Sequence, residues 1–80
     1  MDIYEALENK VKEFIRTEYQ QAIKYAETAE DVIKCRAIAF GALEFSANNL
    51  FPCYNDKLAR WWDKYWEKFN KLALDKQNKS

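Results

Sequence analysis

The sequence contains no histidine, and it has a single glycine and a single proline in 80 residues. Without histidine, the chain has no imidazole for a catalytic triad, for activating a cysteine or for the usual metal sites. So few glycines and prolines leave little material for the turns of a sheet protein. An apolar content of 49% argues against disorder. These absences favour a helical domain that is not an enzyme and carries no cofactor.

Cysteine is also scarce, with Cys35 and Cys53 as the two thiols. One is expected near the start of a helix and the other just past its end, so they would lie about 20–27 Å apart, too far for a disulfide. Two cysteines alone do not make a structural zinc site. Met1 is followed by acidic and polar residues rather than by a signal-peptide pattern, and a cytoplasmic protein is expected.

The chain has no excess of either charge, but its two parts differ. Residues 1–56 carry six basic and ten acidic side chains, whereas residues 57–80 carry seven basic and three acidic ones. A basic C-terminal helix that packs on an acidic remainder neutralises this asymmetry within the chain. Binding to a polyanion is therefore not required to explain the charge pattern.

The stretch from Asp31 to Phe51 is apolar over most of a helix circumference, which is typical of a central helix covered on more than one side. Lys34, Arg36 and Glu44 make it a poor membrane span. The broad apolar side consists of Val32, Cys35, Ala39, Ala42, Leu43, Ser46 and Leu50.

Apolar residues at three- and four-residue spacing predict a helix on each side of this stretch. The expected fold is an all-α, three-helix bundle with helices at about 2–27, 30–50 and 56–74, forming one domain over 1–75 with a frayed polar tail at 76–80. Thr28 and Asp31 favour a tight turn at 27–30. The alternative is one continuous helix of roughly 45 residues in an intertwined dimer.

A second apolar strip on the central helix consists of Ala37, Ile38, Gly41, Ala42 and Phe45. Glycine inside a helix costs about 1 kcal/mol relative to alanine, so its missing side chain should serve a purpose there. We expect this strip to pack on a second copy of the chain in a symmetric homodimer. The alternative is that the flanking helices cover Ile38 and Phe45 themselves.

The third helix carries the most conspicuous side chains. Trp61 and Trp66 lie at the edges of its aromatic stripe, close to Arg60, Lys64 and Lys68. Aromatic rings beside cations are typical of single-strand nucleic-acid sites. The simpler interpretation is that the aromatic stripe is core, with one of the two tryptophans exposed. An interfacial membrane helix is a further alternative, which we do not favour.

Two charged residues fall among apolar ones, Glu18 on the first helix and Arg36 on the second. In an antiparallel hairpin their levels differ by about one turn, roughly 5 Å, so they are predicted to form a partly buried ion pair. The remaining charges of the first helix, Lys12 and Arg16 among them, are assigned to its solvated face. The alternative role for Arg36 is to bind a small anionic ligand.

The function favoured by the sequence is a non-catalytic protein–protein interaction module, a small adaptor or inhibitor of the size common among phage and mobile-element proteins. Its expected partners are a second copy of itself and an unknown second protein. The alternatives are nucleic-acid binding by the third helix and sensing of an anionic ligand by Arg36.

Overall fold

The computed structural model describes residues 3–45 and 56–78. Three α-helices occupy these residues, α1 at Ile3–Tyr25, α2 at Ala29–Phe45 and α3 at Asp56–Asn78. The all-α, three-helix bundle predicted from the sequence is confirmed. The predicted end of the central helix near residue 50, the connection that follows it and Cys53 lie outside the described residues.

Contacts between side chains fix the directions of the helices. Arg36 contacts Asn70, whereas Phe40 contacts Trp62 and Trp66, so α2 and α3 are antiparallel. Along the other pair, Lys12 lies over Trp61 and Lys76 reaches Ile23, so α1 and α3 are parallel. Helix α2 packs closely on both neighbours, and α1 and α3 approach each other mainly through side chains. Helix α2 is thus the central element of the fold.

A reciprocal cap separates α1 from α2. The Asp31 backbone N–H donates to Thr28 Oγ1 at 3.2 Å, and the Thr28 N–H donates to Asp31 Oδ2 at 3.3 Å. Hydrogen bonds from the Glu27 and Thr28 backbone N–H groups lower the pKa of Asp31, since they stabilise its carboxylate. This arrangement is a capping box, with aspartate in the position that glutamate often takes. The predicted turn is confirmed, and the continuous 45-residue helix was the wrong alternative.

All three helices contribute to one apolar core. Its largest fully buried side chains are Phe69, Ile15, Leu58 and Val32. From α2, Val32, Ala39 and Leu43 are buried, as predicted, whereas Cys35 and Ala42 are half-buried. The predicted core residues Ser46 and Leu50 lie outside the described residues. The core therefore lies on one side of α2.

Helix α3 is longer than predicted. It continues to Asn78, so residues 76–78 are helical where the sequence indicated a frayed tail. No proline or glycine occurs there to stop it. The Lys76 ammonium donates a hydrogen bond to the Ile23 carbonyl at 3.1 Å. Carbonyls in the last turn of a helix lack partners within it, and a cation there is favourable, so Lys76 ties α3 to the end of α1.

Candidate functional site

The side of α2 that faces away from the core is apolar between two charged residues, Lys34 and Glu44. We call it the α2 outer face and define it as Lys34, Ala37, Ile38, Gly41, Glu44 and Phe45. Ile38 is 53% exposed and Phe45 is 61% exposed. Ala37 and Gly41 are exposed as well, whereas the fifth residue of the predicted strip, Ala42, is half-buried at its edge. Coverage of Ile38 and Phe45 by α1 and α3, the alternative considered above, does not occur.

Gly41 lies at the middle of this face. A Cβ atom added there would meet nothing within 4 Å, so packing among the described residues does not call for glycine. Glycine inside a helix nevertheless costs about 1 kcal/mol relative to alanine. What the missing side chain does provide is room for another backbone to approach α2 closely.

The charges on the α2 outer face stand at its two ends. Lys34 lies towards the N-terminus of α2 and Glu44 towards its C-terminus, about 15 Å apart along the helix. Between them the face is apolar. A helix that runs antiparallel to α2 across this face, with an acidic residue opposite Lys34 and a basic one opposite Glu44, would match it in charge.

The predicted ion pair between Glu18 and Arg36 is not formed. The Arg36 guanidinium lies 4.1 Å from the centroid of the Trp66 ring, and its Nη1 donates a hydrogen bond to Asn70 Oδ1. Successive helix residues point about 100° apart, so Arg36 faces α3 while its neighbour Cys35 faces α1. Accordingly, the negative charge of the Glu18 carboxylate interacts with Cys35, and it helps to raise the pKa of that thiol.

Arg36 is also poorly placed to sense an anionic ligand. It is half-buried, with its guanidinium in contact with the Trp66 ring and with Asn70.

The thiol of Cys35 is not a reactive group either. Burial is the main cause of its raised pKa, followed by the charges of Glu18 and Asp31. A raised pKa leaves the thiol protonated and weakly nucleophilic.

Of the two tryptophans singled out in the sequence, Trp66 is the more exposed, at 38%. Its ring already contacts Trp62, Phe40 and the Arg36 guanidinium. Tyr19, Tyr65 and Phe69 form edge-to-face contacts within the same aromatic layer. Most of the α3 aromatic stripe thus serves the core, which was the simpler interpretation.

Trp61 differs, because it lies at the junction between α1 and α3. It lines an open groove of about 510 Å³ together with Lys12, Arg60 and Lys64. The Lys12 ammonium lies 5.5 Å from the Trp61 ring centroid, and the Arg16 guanidinium lies 5.6 Å from it. We call these five residues the Trp61 groove.

Lys68, the remaining cation of the predicted face, is one turn further along α3. Its ammonium lies 4.6 Å from the Tyr65 ring centroid and 5.9 Å from that of Tyr19. The structure therefore brings Arg60, Trp61 and Lys64 together and places Lys68 and Trp66 elsewhere.

Sequence reasoning missed the α1 side of this groove. Lys12 and Arg16 were assigned to the solvated face of the first helix, whereas both reach across to Trp61. Their spacing of four residues, on the flank of α1 next to the core positions Val11 and Ile15, was the available signal.

The described residues contain no group of three or more acidic, cysteine or histidine side chains arranged to hold a metal ion. None of the three helices, as far as they are described, combines the length and hydropathy needed to cross a membrane.

Comparisons of the chain with protein-family models, with curated proteins and with solved structures returned no significant match.

Proposed function

We propose that this protein is a non-catalytic protein–protein interaction module that acts as a small adaptor or inhibitor, and that the α2 outer face is its binding surface. The observation that supports this most is the exposure of Ile38 beside Gly41 on a helix whose opposite side builds the core. Single exposed apolar residues are ordinary on protein surfaces. A glycine that packing among the described residues does not require, next to exposed apolar residues, supports a packed partner.

The first partner is a second copy of the same chain. An antiparallel pair of α2 helices, related by a two-fold axis midway between Lys34 and Glu44, is complementary to itself. Each Lys34 faces the partner's Glu44, each Ala37 faces the partner's Gly41, and the two Ile38 side chains meet near the axis. Such an interface is isologous, as two-fold symmetry requires.

The size of this surface sets the expected strength of association. One helix face buries less than the roughly 1,200–2,000 Å² of a standard stable interface, so the dimer falls among the weak, reversible ones. We expect dissociation in the micromolar range. A second protein that presents a helix of the same pattern would compete for the same face, which is how an adaptor or inhibitor of this size would act.

Light scattering after size exclusion tests this proposal. At high micromolar concentration the wild-type chain should show about twice its 9.6 kDa mass. Ile38→Glu places a charge in the interface and should give the monomer mass with unchanged helicity by circular dichroism.

The matched control is Ile23→Glu, which adds the same charge at another exposed isoleucine, on α1. This variant should dimerise like the wild-type chain. A wild-type chain that stays monomeric throughout the concentration series would overturn the homodimer, and equal loss of the dimer in both variants would show that the α2 outer face is not the interface.

A further inference from the structure

The Trp61 groove lies between α1 and α3, so it opens on the opposite side of the bundle from the α2 outer face. The Trp61 indole lines it; this ring is half-buried and packs on Tyr65, with the ring centroids 4.5 Å apart. Lys12 from α1 and Arg60 and Lys64 from α3 line it as well, and the Arg16 guanidinium of α1 lies beside them, 5.6 Å from the Trp61 ring centroid. Dimerisation through α2 therefore leaves this groove open in each copy.

Three of these four cations have no ion-pair partner among the described residues. Among the described residues, no carboxylate lies within 4.0 Å of the charged groups of Arg16, Arg60 or Lys64. Lys12 is the exception, with its ammonium 3.8 Å from Glu8 Oε1. The groove thus concentrates positive charge in a chain whose formal net charge is zero.

Two acidic residues of α3, Asp63 and Glu67, lie away from the groove. Asp63 and Glu67 are two and six residues beyond Trp61, which places them about 200° and 240° round the helix from it. Helix α3 is therefore cationic on the flank that lines the groove and mixed in charge on the far flank. An anionic ligand would therefore meet little repulsion from α3, and the carboxylate beside the groove on α1 is that of Glu8, which is paired with Lys12.

We propose that the Trp61 groove binds single-stranded nucleic acid, with phosphates on the four cations and bases against the exposed part of the Trp61 indole. Cations that follow the backbone, with an aromatic side chain for the bases, are the recurring features of single-strand sites. The shape favours a single strand over a duplex. Proteins that enter the major groove of a duplex present a projecting helix, whereas here the charges line a concave surface.

The dependence on salt follows from the number of cations. Each phosphate neutralised on a single strand contributes about 0.7 to the slope of log affinity against log salt concentration. Three or four contacts give a slope of about −2 to −3, so affinity should fall roughly 20- to 50-fold between about 50 and 200 mM salt.

The experiment measures fluorescence anisotropy of a labelled single-stranded oligonucleotide with the full chain, in a series of salt concentrations. Arg60→Gln/Lys64→Gln should weaken binding at least tenfold at about 50 mM salt and reduce the slope by about 1.4. The matched control is Lys10→Gln/Lys24→Gln, which removes the same charge from exposed positions on α1 outside the groove. It should stay within about twofold of the wild-type affinity and keep its slope.

Helicity by circular dichroism shows that both double variants fold. Saturable binding that is lost only in the groove variant supports the site. No saturable binding at low salt, or equal weakening in both variants, would overturn it. Competition by a matched duplex or by polyglutamate as effective as that by the unlabelled single strand would also overturn the assignment, because the groove would then recognise charge alone.

Discussion

The two sides of α2 are both apolar, yet only one of them lies in the core. The inner side, with Val32, Ala39 and Leu43, is buried by α1 and α3. The outer side presents Ile38 and Phe45 to the solvent of the isolated chain. Apolar character alone therefore does not locate the core of so short a chain. Among the described residues, α1 and α3 both cover the inner side, and no helix covers the outer one.

Truncation on the two sides should have very different effects on the stability of the monomer. Leu43→Ala removes a buried side chain and should lower the free energy of unfolding by about 2–5 kcal/mol. Ile38→Ala removes a side chain that is 53% exposed, and the change should be within about 0.5 kcal/mol. Urea unfolding of dilute protein, where association is negligible, measures both. Equal losses would mean that α2 is covered on both sides.

A second comparison is between two charged residues, Arg36 at the edge of the inner side of α2 and Glu18 on α1. Arg36→Met should cost about 1–2 kcal/mol of stability, because the contact with Trp66 and the hydrogen bond to Asn70 are both lost. Glu18→Gln should stay within about 0.5 kcal/mol, because Glu18 is not the partner of Arg36. The same thermal or urea unfolding series measures both variants. An equal loss of stability in the two variants would indicate that Glu18 and Arg36 do form an ion pair.

Gly41→Ala gives the smallest and most selective effect. The added methyl group meets nothing within 4 Å, so the monomer should become more stable by about 1 kcal/mol. Gly41→Leu should keep a stable monomer but block the close approach of a second α2 helix, weakening the dimer. Unfolding of dilute protein and sedimentation of concentrated protein separate the two effects. A leucine variant that dimerises as well as the wild-type chain would mean that the glycine has no role in association.

Much of the fold could be predicted from local chemistry. Thr28 and Asp31 have the spacing of a cap, and the structure forms that cap. The apolar stripes of the three helices assign Val32, Leu43 and Phe69 to the core, where all three lie. These features depend on residues a few positions apart in the sequence, which is why they can be predicted from it.

The partners of long charged side chains could not be predicted in the same way. A shift of one residue turns a helix position by about 100°, so Arg36 faces α3 although its neighbour Cys35 faces α1. Lys12 and Arg16 lie at the edge of a solvated face, and their reach across to Trp61 depends on how far apart α1 and α3 settle. The end of α3 depends likewise on the contact between Lys76 and Ile23.

Reversing the charges at the two ends of the α2 outer face tests most directly whether a second copy of the chain packs on this face. Lys34→Glu and Glu44→Lys should each raise the dissociation constant of the dimer about tenfold, since two ion pairs at roughly 0.2–1 kcal/mol each become repulsive pairs. The double variant Lys34→Glu/Glu44→Lys restores opposite charges in the antiparallel pair, and sedimentation equilibrium should return it to near the wild-type affinity. Single variants that dimerise like the wild-type chain, or a double variant no better than either single one, would contradict the antiparallel homodimer.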